Sequence, residues 1–111
     1  MAIRTKVLVV DSDLDSLSKV YLALLHRNYK VEAADKAGEI AERVKRFRPA
    51  VLVMGIQEFR ALQDAFKIPG IVMMDETSEP PEPLSWKDVL VSIPKPVQID
   101  QLVKTIEELA L

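Results

Sequence analysis

Short runs of apolar and β-branched residues alternate with longer amphipathic segments along the whole chain. Apolar runs of this length are typical of strands that are buried on both faces of a parallel sheet. They predict five strands, at residues 6–10, 29–33, 50–56, 71–74 and 89–93. Because helical patterns separate these runs, the sequence favours an α/β fold in which helices cover both faces of one parallel sheet.

Four segments have apolar residues three or four positions apart, the spacing that places side chains on one face of a helix. These positions are Leu14, Leu17, Tyr21, Leu24 and Leu25 in the first helix, Ala37, Ile40, Ala41, Val44 and Phe47 in the second, Phe59, Leu62 and Phe66 in a short third, and Leu102, Val103, Ile106 and Leu109 in the last, at residues 99–109. Asp13 or a neighbouring residue is expected to cap the first helix, and Asp35 the second. Asn28 is expected to end the first helix in a left-handed conformation, and Pro49 to stop the second.

The regular alternation fails between residues 75 and 86. Pro80, Pro81 and Pro83 lack a backbone N–H group and have a fixed φ, which excludes an ordinary helix there. A single turn is expected near residues 85–87. We interpret the segment as a shortened or replaced helix, because the strand that follows it is needed to complete the sheet. The 111 residues are therefore expected to form a single domain.

Composition and charge narrow the function classes. The chain has no cysteine, which excludes disulfides and thiol chemistry. Its 15 basic and 17 acidic residues do not give the clustered basic surface that is typical of nucleic-acid-binding proteins. Its one basic cluster is Arg43, Lys45, Arg46 and Arg48, which we interpret as the solvated end of a helix in preference to a binding patch. The first apolar run is too short for a signal peptide or a membrane span, so a cytoplasmic protein without membrane association is expected.

The order of these elements, together with four local motifs, resembles the receiver domain of bacterial response regulators over essentially the whole chain. The motifs are residues 7–11 at the end of strand one, residues 48–55 through strand three, Ile68-Pro69 before strand four and Lys95-Pro96 after strand five. Each motif is weak alone, and their common order and spacing are specific. The resemblance implies a flavodoxin-like, doubly wound five-stranded parallel sheet in the order 2-1-3-4-5 and a cis Lys95–Pro96 bond.

In that family an acidic pocket lies at the carboxyl ends of the strands. Two acidic residues there help to bind Mg²⁺, an aspartate ending strand three accepts a phosphoryl group, and a hydroxyl and a lysine contact the phosphoryl oxygens. By this resemblance Asp11 and Lys95 keep two of the five positions, whereas Ser12, Gly55 and Met74 replace the others. Glycine has no side chain to phosphorylate, and the loop after strand three is short. The resemblance thus implies a pseudo-receiver with no phosphorylation site, metal or other cofactor.

Several charged residues near this pocket permit two interpretations. Asp11 and Lys95 are either remnants of the pocket or an ion pair, and we favour the pair because an unpaired buried charge is costly. Asp13 and Asp75 could join Asp11 in a replacement cation site. We favour the alternative, in which Asp13 caps a helix and Asp75 faces solvent. His26, the only histidine, suits the carboxyl end of a helix, and no catalytic constellation can be assembled around it.

The leading hypothesis is a phosphorylation-independent signalling module that is not an enzyme and that binds a protein partner (a kinase, scaffold or effector) or forms a homodimer. The candidate interface contains Trp86, Val91 and Ser92, and Trp86 either packs the proline-rich segment onto the sheet, as we favour, or anchors a partner. A rival hypothesis is a switch that responds to a metal ion or small molecule. Its remodelled pocket consists of Asp11, Ser12, Asp13, Gly55, Met74 and Lys95. A small enzyme that uses Asp11, Asp13 and Asp75 is a third alternative.

Overall fold

The computed structural model describes residues 4–62, 66–75 and 90–110. Five parallel strands form one sheet in the order β2-β1-β3-β4-β5, which confirms the predicted doubly wound α/β sheet. The strands are β1 at Lys6–Val10, β2 at Lys30–Ala34, β3 at Val51–Gly55, β4 at Gly70–Met74 and β5 at Leu90–Pro94. Each end of each strand differs from its predicted position by at most one residue.

Within the described ranges, four α-helices connect or follow the strands. They are α1 at Leu14–His26, α2 at Ile40–Phe47, α3 at Ile56–Ala61 and α4 at Ile99–Leu109, and a 3₁₀ turn at Ala37–Glu39 precedes α2. The bounds predicted for the last helix are confirmed. The expected replacement of a helix by the proline-rich segment falls on residues 76–89 and, like the prediction for Trp86, lies outside the described residues.

The core consists of two layers, one on each face of the sheet. Val7 and Val9 of β1 face α1 and α4, where Leu24 and Ile106 are fully buried. Leu8 of β1 points the opposite way, toward α2 and α3. Because successive strand residues point to opposite faces and both faces are covered, β1, β3 and β4 have continuous apolar sequences.

The buried face of α1 differs from the predicted one. Leu14 and Leu25 are exposed, whereas Val20 is buried together with Leu17 and Leu24. Residues 17, 20 and 24 define a narrower stripe, and Leu14 and Leu25 lie outside it, at the two ends of the helix. The prediction for these two leucines is therefore wrong.

The predicted ends of α1 are confirmed, whereas the predicted start of α2 is wrong. Asp13 caps α1, and Asn28 follows it with a φ of 69°, as predicted. Asp35 does not cap α2, because the intervening 3₁₀ turn moves the first free amides of α2 several residues along the chain. Ile56, predicted in strand three, begins α3, and Phe66 lies beyond the end of α3.

None of the helices in the described ranges is long and apolar enough to cross a membrane.

Candidate functional site

The carboxyl ends of the strands bring several of the predicted pocket residues to one edge of the sheet. Val10 pairs with Met54, and Gly55 pairs with Met73, so the last residues of β1, β3 and β4 are neighbours. Asp11 directly follows β1, and Lys95 directly follows β5. The Lys95 amide donates a hydrogen bond of 2.8 Å to the Met74 carbonyl, which fixes the start of the segment after β5. The Lys95–Pro96 peptide bond is cis, as the resemblance implied.

Asp11 and Lys95 form a largely buried ion pair. The Lys95 Nζ atom lies 2.9 Å from Oδ2 of Asp11, and the two side chains are 18% and 3% exposed. The other carboxylate oxygen, Oδ1, accepts a hydrogen bond of 3.0 Å from the Asp13 amide. Oδ2 accepts no well-directed hydrogen bond from the described residues, so the ammonium group is its main electrostatic compensation. The predicted ion pair is confirmed.

Asp13 acts as a helix cap and as an outer neighbour of this pair. Its backbone is extended, and its Oδ1 atom accepts a long hydrogen bond of 3.4 Å from the Ser16 amide at the start of α1. Its Oδ2 atom lies 3.8 Å from the Lys95 Nζ atom. Asp75 is exposed. Within the described ranges no three acidic or histidine side chains are grouped closely enough to hold a metal ion.

A second buried carboxyl group, that of Glu58, lies at the same edge, and sequence reasoning missed it. Helix α3 begins directly after Gly55, so Glu58 lies in its first turn, where it is 5% exposed. Its Oε1 atom accepts a hydrogen bond of 2.7 Å from the Ser12 amide. A Cβ atom placed on Gly55 would lie 2.6 Å from Oε2 of Glu58 and 2.9 Å from Oδ1 of Asp11.

The resulting group of contacts, here called the strand-end cluster, consists of Asp11, the Ser12 amide, Gly55, Glu58 and Lys95. It contains two carboxyl groups and one ammonium group from three different parts of the chain. The space beside Gly55, where a side chain at that position would lie, is occupied by the carboxyl groups of Glu58 and Asp11. Met74, at the end of β4, adds a buried thioether to this edge, and the Ser12 residue is exposed.

Solved structures of response regulators, among them isolated receiver domains, have the same architecture. The signal receiver domain of a response regulator from Bermanella marisrubri is 18% identical, with a TM-score of 0.73, and the match covers 98% of this chain and 100% of that chain. A receiver domain protein from Methanospirillum hungatei is 19% identical, with a TM-score of 0.74, and the match covers 97% and 94%. NtrX from Brucella abortus, at 19% identity, has a TM-score of 0.82 over 97% of this chain and 27% of its own.

The chain has the receiver fold. No protein-family model matches the sequence, and neither does any curated protein. The fold is therefore recognised by structural similarity, which agrees with the order of motifs in the sequence.

An open cleft of about 370 Å³ lies beside the strand-end cluster of this receiver fold. Its walls are the first turns of α1, Asp75 and residues 95–97, so Asp13 and Lys19 face Lys95 across it. The carboxyl groups of Asp11 and Glu58 are buried and do not line the cleft. Lys95 is thus the residue that belongs both to the cluster and to the cleft wall.

The predicted interface residues lie on an edge strand of the receiver fold. β5 pairs with β4 only, in the order of the described sheet. Val91 is half-buried and Ser92 is exposed on this strand. The third predicted residue, Trp86, lies outside the described residues.

Proposed function

We propose that the chain is a pseudo-receiver, a signalling module that works without phosphorylation and without enzymatic activity by binding a protein partner. The observation that supports this most directly is the end of β3. In the receiver fold this position is the one that the resemblance assigns to the phosphoryl acceptor, and here it is Gly55. Its neighbourhood already contains the carboxyl groups of Glu58 and Asp11, which leaves no free space for a side chain.

Other residues of the same edge support the proposal. Ser12 lacks the negative charge that a hard cation prefers, and the Met74 thioether is a poor partner for a phosphoryl oxygen. Lys95, which would contact a phosphoryl group in a working receiver, already faces Asp11 at 2.9 Å. The resemblance assigns phosphoryl transfer an acceptor aspartate, a second acidic residue and a lysine. Gly55 and Ser12 replace the first two here, and the lysine is paired with Asp11.

The partner that we propose is another protein in the cytoplasm, such as a kinase, scaffold or effector, or a second copy of this chain. The surface around β5 is the candidate interface, since β5 is an edge strand with Ser92 exposed on it. Edge strands present unpaired backbone groups that favour association with another chain. Trp86, which precedes this strand in the sequence, is the aromatic residue of the candidate interface.

A phosphodonor assay tests the absence of a phosphoryl acceptor. The chain is incubated with Mg²⁺ and a small acyl phosphate and then analysed by intact-protein mass spectrometry, with an active receiver domain as the positive control. We expect no phosphoryl adduct on this chain. An adduct in high yield that maps to Asp11 or Glu58 would show that the pocket still accepts a phosphoryl group.

Variants of the candidate interface test the binding function. Sedimentation equilibrium gives the self-association constant of the wild type, and the variants Trp86→Ala and Ser92→Arg are compared with it at equal thermal stability. Weaker association of both variants supports a homodimer through this surface. Ser18→Arg, on the exposed face of α1, is the matched control and is expected to associate like the wild type. If the wild type is a monomer, the same variants are compared for binding to a candidate kinase or effector.

A second candidate function is a switch that responds to a small molecule or metal ion. The cleft of about 370 Å³ beside Lys95 favours it, because a bound group there would contact the lysine that pairs with Asp11. Saturable changes at the cleft upon addition of a ligand, with no phosphoryl adduct, would favour this second function over a fixed docking module.

A further inference from the structure

Glu58 has no counterpart among the residues that the sequence assigns to the pocket. We infer that Glu58 replaces the side chain missing at Gly55 and acts as an internal ligand that holds residues 11–13, the β1–α1 loop, in one conformation. This inference rests on the proposed function, because it explains how a pocket without an acceptor is kept in a fixed state. It assigns a positioning role to a residue of α3.

The geometry around Gly55 is the first argument. The Oε2 atom of Glu58 lies 2.6 Å from the place of a Cβ atom on Gly55, closer than real Cβ contacts come. Gly55 and Glu58 therefore depend on each other: a side chain at position 55 would displace the Glu58 carboxyl group, and without that carboxyl group only Asp11 would border the space beside Gly55. Such mutually exclusive occupancy is the expected property of a group that has taken over another group's place.

The hydrogen bonds of the β1–α1 loop are the second argument. The Ser12 amide donates to Oε1 of Glu58 at 2.7 Å, and the next amide, that of Asp13, donates to Oδ1 of Asp11 at 3.0 Å. Two successive amides of the loop are thus bonded to carboxyl groups from α3 and from the end of β1. A hydrogen bond from an amide to a carboxylate is stronger than one between neutral groups, so Glu58 limits the movement of the loop.

The start of α3 is the third argument. Since α3 begins at Ile56, directly after β3, Glu58 is only three residues beyond Gly55 and lies one helical turn from the strand end. A longer connection would move this residue away from the sheet edge. The short connection, Gly55 and the buried Glu58 together place a second carboxyl group beside Asp11. This group is part of the chain itself, so the cluster has it without any covalent modification.

A double-mutant cycle tests the exchange between Gly55 and Glu58. In the wild type, Gly55→Ala pushes the Glu58 carboxyl group off the Ser12 amide, and we expect the unfolding equilibrium constant in urea to rise about tenfold. In the Glu58→Ala background the nearer of the two close contacts is removed and only the one with Oδ1 of Asp11, at 2.9 Å, remains. The same change is therefore expected to raise that constant about threefold, clearly less than in the wild type.

The matched control for the cycle is Gly38→Ala. A Cβ atom on Gly38 would meet nothing within 4 Å. We therefore expect Gly38→Ala to have the same effect on unfolding in the wild type and in the Glu58→Ala background. An equal effect of Gly55→Ala in the two backgrounds would overturn the inference.

The Ser12 amide provides a second readout that does not depend on stability. In Glu58→Gln, a carboxamide replaces the charged acceptor in a side chain of the same size, and we expect the Ser12 amide proton to move upfield and to exchange faster. Glu42→Gln, at an exposed site of α2, is the control and should leave Ser12 unchanged. An unchanged Ser12 amide in Glu58→Gln would also overturn the inference.

The two proposals fail in distinguishable ways. A phosphoryl adduct on the unmodified chain contradicts the proposed function and involves no Glu58 variant. Additive effects in the cycle together with an unchanged Ser12 amide contradict only the role of Glu58. Coupling between Gly55 and Glu58 on a chain that forms no adduct supports both.

Discussion

At the scale of single residues, burial separates the ion pairs of this chain into two kinds. Asp11 and Lys95 are mostly removed from solvent, and among the described residues no other cation lies as near to the carboxylate. Arg27 and Asp100 are closer together, at 2.6 Å, yet their side chains are 45% and 90% exposed. Water and salt screen the second pair strongly and the first pair weakly, so the shorter distance does not mark the more important contact.

The variant Lys95→Ala is expected to destabilise the fold by about 3 kcal/mol, since it leaves the Asp11 carboxylate buried without its cation. The control Arg27→Ala removes an exposed pair and is expected to cost less than about 1 kcal/mol. Urea denaturation at neutral pH measures both. Equal losses of unfolding free energy for the two variants would show that the buried ion pair between Lys95 and Asp11 stabilises the fold no more than an exposed one.

Tyr29 gives the fold a dependence on alkaline pH. Its side chain is buried, and burial raises the pKa of the phenol above its usual value of 10.0; the Glu107 carboxylate raises it further, and Arg27 partly opposes this. Because the folded state holds the phenolic proton more tightly than the unfolded state, this contribution to stability is complete below pH 10 and is lost as the pH rises through the folded value.

We therefore expect the unfolding free energy of the wild type to fall between about pH 10 and the folded pKa more steeply than that of Tyr29→Phe. Urea denaturation of both proteins at a series of alkaline pH values measures the difference. Parallel pH profiles would contradict the raised pKa of the Tyr29 phenol.

At the scale of elements, the helix ends explain where the connections turn. Asn28 after α1 and Arg48 after α2 have φ values of 69° and 54°, and both are left-handed residues that close a helix. Asparagine tolerates this conformation better than arginine does. The Arg48 amide donates a hydrogen bond to the Val44 carbonyl. The left-handed backbone therefore closes α2 even though arginine is an unfavourable residue for it.

The variant Arg48→Gly is expected to stabilise the fold by about 0.5–1 kcal/mol, because glycine adopts a positive φ without steric cost. Lys45→Gly, inside α2, is the control and is expected to destabilise by about 1 kcal/mol. Thermal unfolding of both variants measures the effects. A loss of stability in Arg48→Gly would indicate that the charge of Arg48 at the helix end outweighs its backbone strain.

The elements that the sequence predicts well are those with a strong local pattern. β1 is a run of apolar residues that both core layers bury, and α4 has a stripe of Leu102, Val103 and Ile106, so both were predicted with their observed bounds. The ion pair between Asp11 and Lys95 was also predictable, since parallel strands bring their carboxyl ends to one edge.

The elements that it predicts poorly depend on contacts between distant residues. Glu58 lies in a short polar helix, and nothing near it in the sequence indicates burial; its partner, the Ser12 amide, is 46 residues away. The only local signal is an acidic residue one turn after Gly55 with no loop between. Asp35 was wrongly assigned as a cap because a 3₁₀ turn and an α-helix begin with similar sequences.

At the scale of the whole molecule, the sheet divides the core into two layers that share every central strand. Val51 and Val53 of β3 contact the layer with α1 and α4, and Leu52 and Met54 contact the layer with α2 and α3. A loss of packing in either layer therefore acts on the same strand, and the two layers are expected to unfold together.

The variant Leu52→Ala is expected to destabilise the fold by about 3 kcal/mol, since Leu52 is fully buried at the centre of one layer. Leu22→Ala, at an exposed position of α1, is the control and should change stability by less than about 0.5 kcal/mol. Amide NMR signals from α4 in one layer and from α2 in the other should give one coincident transition for Leu52→Ala. Separate transitions would contradict a shared core.

The central claim is that this receiver fold has a fixed, internally paired pocket. An amide-resolved NMR titration of the unmodified chain, first with Mg²⁺ and then with a beryllofluoride mimic of a phosphoryl group, tests it most directly. We predict no saturable shifts at Asp11, Ser12, Gly55 or Lys95. Saturable shifts at these residues that spread along β5 to Ser92 would show that the pocket still switches, and would contradict the claim.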